Sequence, residues 1–339
     1  MTLLYPGLAD VSVHNLRYHA KRNGAEFGEA SENLMLVGIM IEGAFGLNWP
    51  RWQRLVQAVE DLGFDGLYRS DHFMGPDPMQ DALEANISLA WAADHSERIE
   101  LGTLVSPVSF RDPRILAWQA AAINDLAKGR LRLGLGAGWQ EKEHNAFGFD
   151  LGSMDERFTR LEESLKVVKA LTRSDSPVTL EGERYPLKDA QLLPLHPGGD
   201  TPAIVIGGKG PKRTLPLVAK YADEWNALMM NNDDFRERNA LLDDMLDAEG
   251  RDRASVRRSI MVGSIIAADQ ATLDADPDAE KFEELKGRGA VVGTPNEVVE
   301  NLGRKAEAGI ESVMLQWMDQ DNIAGLELVA KHVLPQVRG

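Results

Sequence analysis

Arg69-Ser70-Asp71-His72-Phe73 is the stretch of this chain best equipped for chemistry. It follows Gly66-Leu67-Tyr68, a short apolar run that reads as a buried strand. An acid and an imidazole just past a strand's carboxyl end stand where α/β proteins place their reactive groups. Histidine exchanges a proton near neutral pH, so the pair reads as a proton donor or acceptor, His72, with Asp71 orienting it. The structural alternative is Asp71 as a cap and His72 as a satisfied core imidazole; from the pair alone the two readings are even.

A second loop carries a ligand signal. Gly207-Gly208-Lys209-Gly210-Pro211-Lys212-Arg213 combines glycines that let backbone amides approach a ligand with three cations. Pro211 is expected to open a helix whose N-terminus favours an anion, which makes a phosphate cradle. The lysine-serine/threonine pair of a Walker loop is missing. Gly134-Leu135-Gly136-Ala137-Gly138 has the look of a dinucleotide fingerprint, but no helix is expected to open directly after it; close packing under a flat ligand or a barrel corner explains it as well. Trp139 could wall a ring pocket. Glu143 and His144 are expected on a helical turn, solvated. Glu42, Arg111 and Glu143 are the candidates to meet substrate. Neither a His-x-x-x-His pair nor a carboxylate cluster points to a metal, and no Gly-x-Ser-x-Gly elbow points to acyl transfer.

These loops need elements to hold them. From Leu34 onward, apolar runs alternate with amphipathic segments. Strands are expected at Leu34–Met40, Gly66–Arg69, Ile99–Val105, Leu131–Gly136, Ala203–Ile206, Glu224–Ala227, Ser259–Ala267 and Ser312–Gln316. Several are apolar without alternation, as in parallel strands covered on both faces. Asn48-Trp49-Pro50, Asp112-Pro113 and the Thr294-Pro295-Asn296-Glu297 capping box open helices between them, and Gly63 and Gly309 close two. Eight strand-helix units predict an α/β fold of the (β/α)8 TIM-barrel type over residues 34–339. A hairpin excursion is expected within Pro177–Pro197, after the fourth helix, and a polar, acidic insertion at Asp269–Gly289, after strand 7. Residues 1–33 read as a polar N-terminal arm.

Composition narrows the function classes. The chain has 339 residues and a net charge of −16, which disfavours nucleic acid and anionic membrane as partners. With no cysteine, disulfides and thiolate chemistry are excluded. No apolar run is long enough to span a membrane and the N-terminus lacks a signal-peptide core, so the expected location is the cytoplasm.

Taken together, these motifs resemble the luciferase-like monooxygenase superfamily of flavin and deazaflavin oxidoreductases. The likeness runs from about Leu34 to the C-terminus. It is carried by Arg69–Phe73, Gly134–Trp139, Phe147-Gly148 with Arg157-Phe158, Glu181-Gly182 to Tyr185, Ile206–Pro211 and Ala222–Asn226. Ser-Asp-His at the second strand is similar to the branch that uses coenzyme F420, a deazaflavin; the FMN-using branch more often has Glu-His. The resemblance implies a TIM barrel and a homodimer. It further implies Asp71 and His72 at the deazaflavin and substrate, with Trp139 shaping the pocket. A cis peptide at Leu104-Val105 would support the ring, with Ser106, Ala137 and Gly138 alongside. Gly207, Gly208, Lys209 and Gly210 would hold the cofactor phosphate. The chain departs from the family's sugar-phosphate dehydrogenases at Trp139, where they carry a glutamate acid; Glu141 and Glu143 are the nearest stand-ins.

Three functions follow. The first is hydride transfer between F420 and a small organic substrate. The second is an FMN-dependent two-component monooxygenase fed by a separate flavin reductase. The third is a non-catalytic flavin-binding barrel, to which a proton-transfer pair would be superfluous.

Overall fold

The computed structural model describes residues 35–75, 78–192 and 200–338; the N-terminal arm expected over residues 1–33 lies outside them. Eight strands form the frame. They are β1 (Leu36–Ile41), β2 (Gly66–Arg69), β3 (Glu100–Thr103), β4 (Leu131–Gly136), β5 (Ala203–Gly207), β6 (Glu224–Leu228), β7 (Arg257–Ile266) and β8 (Ser312–Gln316). Each pairs in parallel with the next, and β8 returns to β1 with Met40 opposite Gln316, so the sheet closes. Three of the expected strands, β2, β4 and β8, keep their expected bounds, and the others shift by one or two residues at most ends. The α/β TIM barrel is therefore the fold.

Strand alternation sorts side chains into two cores. Outward residues such as Val37, Ile39, Ile41, Leu67 and Leu101 pack under the helices. Inward residues Met40, Tyr68, Leu104, Val205, Met261 and Met314 form a separate cluster inside the barrel.

The helices start where side chains can cap them. The Asn48 carboxamide accepts the Arg51 N–H at 3.1 Å and opens α1 (Trp49–Asp61). α2 (Ala85–Asp94) lies outside the expected helices, because it is apolar on most sides. Asp112 caps α3 (Pro113–Leu126). α4 (Glu141–Phe147) is a short helix three residues beyond the glycine run. α5 (Met154–Arg173) opens on a Ser153–Glu156 capping box and leads into the expected hairpin, Val178–Leu180 against Leu187–Ala190. α6 (Thr214–Tyr221) begins at Thr214 rather than at Pro211, whose segment is a turn. The insertion after β7 is more ordered than its polarity suggests. Two short helices, Gln270–Asp274 and Phe282–Gly287, precede a strand, Val291–Gly293, that pairs with β7. Leu273, Phe282, Ala290 and Val292 give it a small core of its own.

Candidate active site

The carboxyl ends of the strands carry the expected residues. Past β2, Asp71 and His72 take different partners. His72 Nδ1 lies 2.7 Å from Oε1 of Glu143 on α4, and Oε2 of the same carboxylate accepts the Phe73 N–H at 3.0 Å. The orienting acid of His72 is Glu143, which is wholly buried, and not the adjacent Asp71. The solvated turn expected for Glu143 and His144 is likewise replaced by a buried one. A carboxylate at Nδ1 fixes the proton there and leaves Nε2 for exchange.

Burial alone would lower the His72 pKa. The hydrogen bond and charge of Glu143, with the charges of Glu42 and Asp71, outweigh it and raise the pKa above its ordinary value. Trp139 meets the imidazole edge-on, with ring centroids 5.6 Å apart, and is itself 68% exposed. Behind this pair, Phe73 packs on Phe110, Phe147 and Phe149.

Asp71 takes both terminal nitrogens of Arg111, whose Nη2 also reaches Glu84 Oε1 at 2.5 Å. Three hydrogen bonds thus tie Arg111 to Asp71 and Glu84. Glu84 was not singled out in the sequence; its signal was its place as the cap of α2, where it accepts the Ile87 N–H. A second imidazole, His144, is also committed. Its Nδ1 donates to the Gln140 carbonyl at 2.7 Å, so Nε2 accepts the Ser109 hydroxyl at 2.7 Å.

The glycine run has a packing explanation. The peptide between Leu104 and Val105 is cis. A Cβ at Gly134, Gly136 or Gly207 would come within 2.9, 2.6 and 2.9 Å of a Val105 methyl. Glycine at these inward positions keeps a flat floor beside Val105, whereas Gly138 faces Leu151, Ser109 and His144. The Ser106 hydroxyl, just beyond, is buried without a hydrogen-bond partner. In the expected cradle, the Gly208 N–H already donates to the Asn226 carbonyl at 3.0 Å, which leaves the amides and cation of Lys209 and Gly210 for a ligand. Arg213 is engaged by Asp155 at 2.6 Å. Glu42, past β1, accepts from Gln316 Nε2 at 2.6 Å. The histidine pair, the glycine floor and Glu42 therefore share one rim, while Arg111 stands behind it.

A closed parallel barrel with an acid-oriented histidine at its carboxyl rim defines the class: a TIM-barrel enzyme. The chain belongs to the luciferase-like monooxygenase family, whose profile matches residues 35–282. An F420-dependent glucose-6-phosphate dehydrogenase of Intrasporangium calvum is 28% identical over 83% of this chain and 92% of that protein. A protein of the same name from Amycolatopsis mediterranei is 34% identical, over 48% of this chain and 47% of its own length. Among solved structures, an F420-dependent secondary alcohol dehydrogenase in complex with an F420-acetone adduct superposes with a TM-score of 0.76 at 21% identity, covering 90% of this chain and all of that one. Family and relatives agree on an F420- or flavin-dependent oxidoreductase. Among the described residues, no helix is long and apolar enough to cross a membrane.

Proposed function

We propose that this protein transfers a hydride between coenzyme F420 and a small organic molecule. The observation that carries the reading is the buried Glu143–His72 pair at the rim of a glycine-floored barrel, 2.7 Å between acid and imidazole. The residues present fit a flat anionic cofactor. Gly136 and Gly207 keep space beside Val105, and the Ser106 hydroxyl has a bond still to make. Leu104, Val105, Ser106, Ala137 and Gly138 would hold the ring, and Gly207, Gly208, Lys209 and Gly210 its phosphate. A bound deazaflavin supplies hydride chemistry that barely involves oxygen.

The chain's own residues do the rest. His72 holds the exchanging proton at Nε2, Glu143 orients the ring through Nδ1, and Trp139 closes over its edge. Asp71 supports the rim through Arg111 rather than through His72. The chain acts as a homodimer in this reading, and the exposed Ile87, Ile115 and Trp118 of the adjoining α2 and α3 offer an apolar face for it.

The test is a fluorescence titration with F420 and, separately, FMN. Binding of F420 at least about tenfold tighter supports the reading, since tenfold is 1.4 kcal/mol of preference. A preference for FMN replaces it with the two-component monooxygenase and a partner reductase.

A further inference from the structure

The barrel mouth has two unlike halves. Over β3 to β5 the inward positions are glycines packed around Val105. Over β1 and β6 to β8 the same alternation brings Glu42, Leu228, Gly263 and Gln316 inward, with Met318 one step beyond. Leu228 and Met318 are 42% and 50% exposed, large values for apolar side chains at the floor of an enzyme mouth. The Met229 sulfur, which accepts the Gly263 N–H at 3.0 Å, adds a third apolar surface.

Glu42 is the charge of this half, and it is held rigidly. Gln316 fixes one carboxylate oxygen at 2.6 Å. Gln320 Nε2 donates to the Glu42 carbonyl at 2.9 Å, and the next amide, Gly43 N–H, donates to the Ser70 hydroxyl at 2.8 Å. Among the described residues no lysine or arginine forms an ion pair with Glu42. The arginines behind the rim are committed. Arg69 is buried and donates to the Ser70, Leu83 and Glu84 carbonyls and the Ser88 hydroxyl, and Arg111 is held by Asp71 and Glu84. The field of Glu42 reaches His72. A phosphate entering this half would meet a fixed carboxylate with no cation paired to it among the described residues, whereas a hydroxyl or amine would find a preorganised acceptor beside three apolar side chains.

We infer that this half of the mouth receives a small, non-anionic molecule whose hydroxyl or amino group donates to Glu42, and that it rejects phosphorylated substrates. The inference rests on the placement of His72 in the reacting site proposed above. It separates this chain from the glucose-6-phosphate dehydrogenases it is related to.

The test is calorimetric binding to the full chain saturated with whichever of F420 or FMN it takes. The probes are 2-propanol, cyclohexanol, 2-aminocyclohexanol and glucose 6-phosphate. At least one alcohol or amino alcohol is expected to bind about 100-fold more tightly than glucose 6-phosphate, the size of a like-charge penalty at a partly buried site. Glu42→Gln is expected to weaken that alcohol about tenfold, as loss of a charged hydrogen-bond acceptor does, to raise its KM more than it lowers kcat, and to improve glucose 6-phosphate. Cofactor affinity should stay within about twofold, because Glu42 lies in the other half of the mouth. Tighter binding of glucose 6-phosphate than of every other probe, or an alcohol affinity indifferent to Glu42→Gln, overturns the inference. A preference for FMN would overturn only the choice of cofactor, since the Glu42 comparison is read with either one.

Discussion

Both ends of the barrel bury charge, and they do so to opposite effect. At the amino ends of the strands, inward-facing Glu100, Arg132, Glu224 and Arg257 make a closed set of two acids and two bases. Arg257 Nη1 and Nη2 bond Glu100 at 2.7 and 3.0 Å, Arg132 Nε bonds Glu224 at 3.0 Å, and the Tyr68 and Ser259 hydroxyls take further carboxylate oxygens. Burial would raise the Glu100 pKa, yet Arg132 and Arg257 bring it down to about 2. At the carboxyl ends, Asp71 and Arg111 neutralise one another, but Glu42 and the outer nitrogen of His72 keep capacity for a ligand. A closed network holds the fold, and an incomplete one does chemistry.

Variants at the two ends should therefore separate activity from stability. The largest effect belongs to His72→Ala, which is expected to lower kcat about 1000-fold, within the range for loss of general acid-base catalysis. Its F420 affinity should stay near wild type, and its stability loss should be smaller than that of Glu224→Ala because Glu143 keeps the Phe73 N–H; wild-type turnover would remove His72 from the mechanism. Glu224→Ala comes next. It strands the buried Arg132 and should cost about 3–5 kcal/mol in urea unfolding, with kcat of the folded fraction unchanged. Equal losses of stability from both variants would erase the distinction between the ends.

A smaller change is expected from Glu143→Gln, about 10- to 100-fold in kcat, with the His72 limb of the pH-rate profile moved toward acid. The sign follows from the raised His72 pKa. In the wild type, the stability gained from protonated His72 is complete below the ordinary histidine value, near 6.5, and is lost as pH rises through the raised folded value. An unmoved limb would leave Glu143 with a packing role only. The mildest prediction is Trp118→Glu, which should shift the sedimentation coefficient to that of a monomer and leave the monomer's F420 affinity within about twofold.

How much of this was legible in the sequence depended on distance along the chain. The strands announced themselves through continuous apolar runs, and the caps Asn48, Asp112 and Thr294 through chemistry completed within four residues. Helix α2 stayed hidden because Ile87, Leu89, Ala90, Trp91 and Ala93 give no polar face to read. The acid that orients His72 was out of reach because it is 71 residues away. Asp71 looked like the natural partner only because it is next door, and it is taken by Arg111. Position on a strand end pointed to His72, Glu42 and Gly207; pairing across the barrel required the closed sheet.

The contact between Val105 and its glycines also constrains how this chain can vary. Its methyls fill the volume that a side chain at 136 or 207 would need, 2.6 and 2.9 Å away. A methyl added at either position is therefore incompatible with valine at 105, while a valine trimmed to glycine would leave room for it. These sites share one allotment of space. Over generations they should drift as a linked set, so that the identity at 105 records which residues its two neighbours can be.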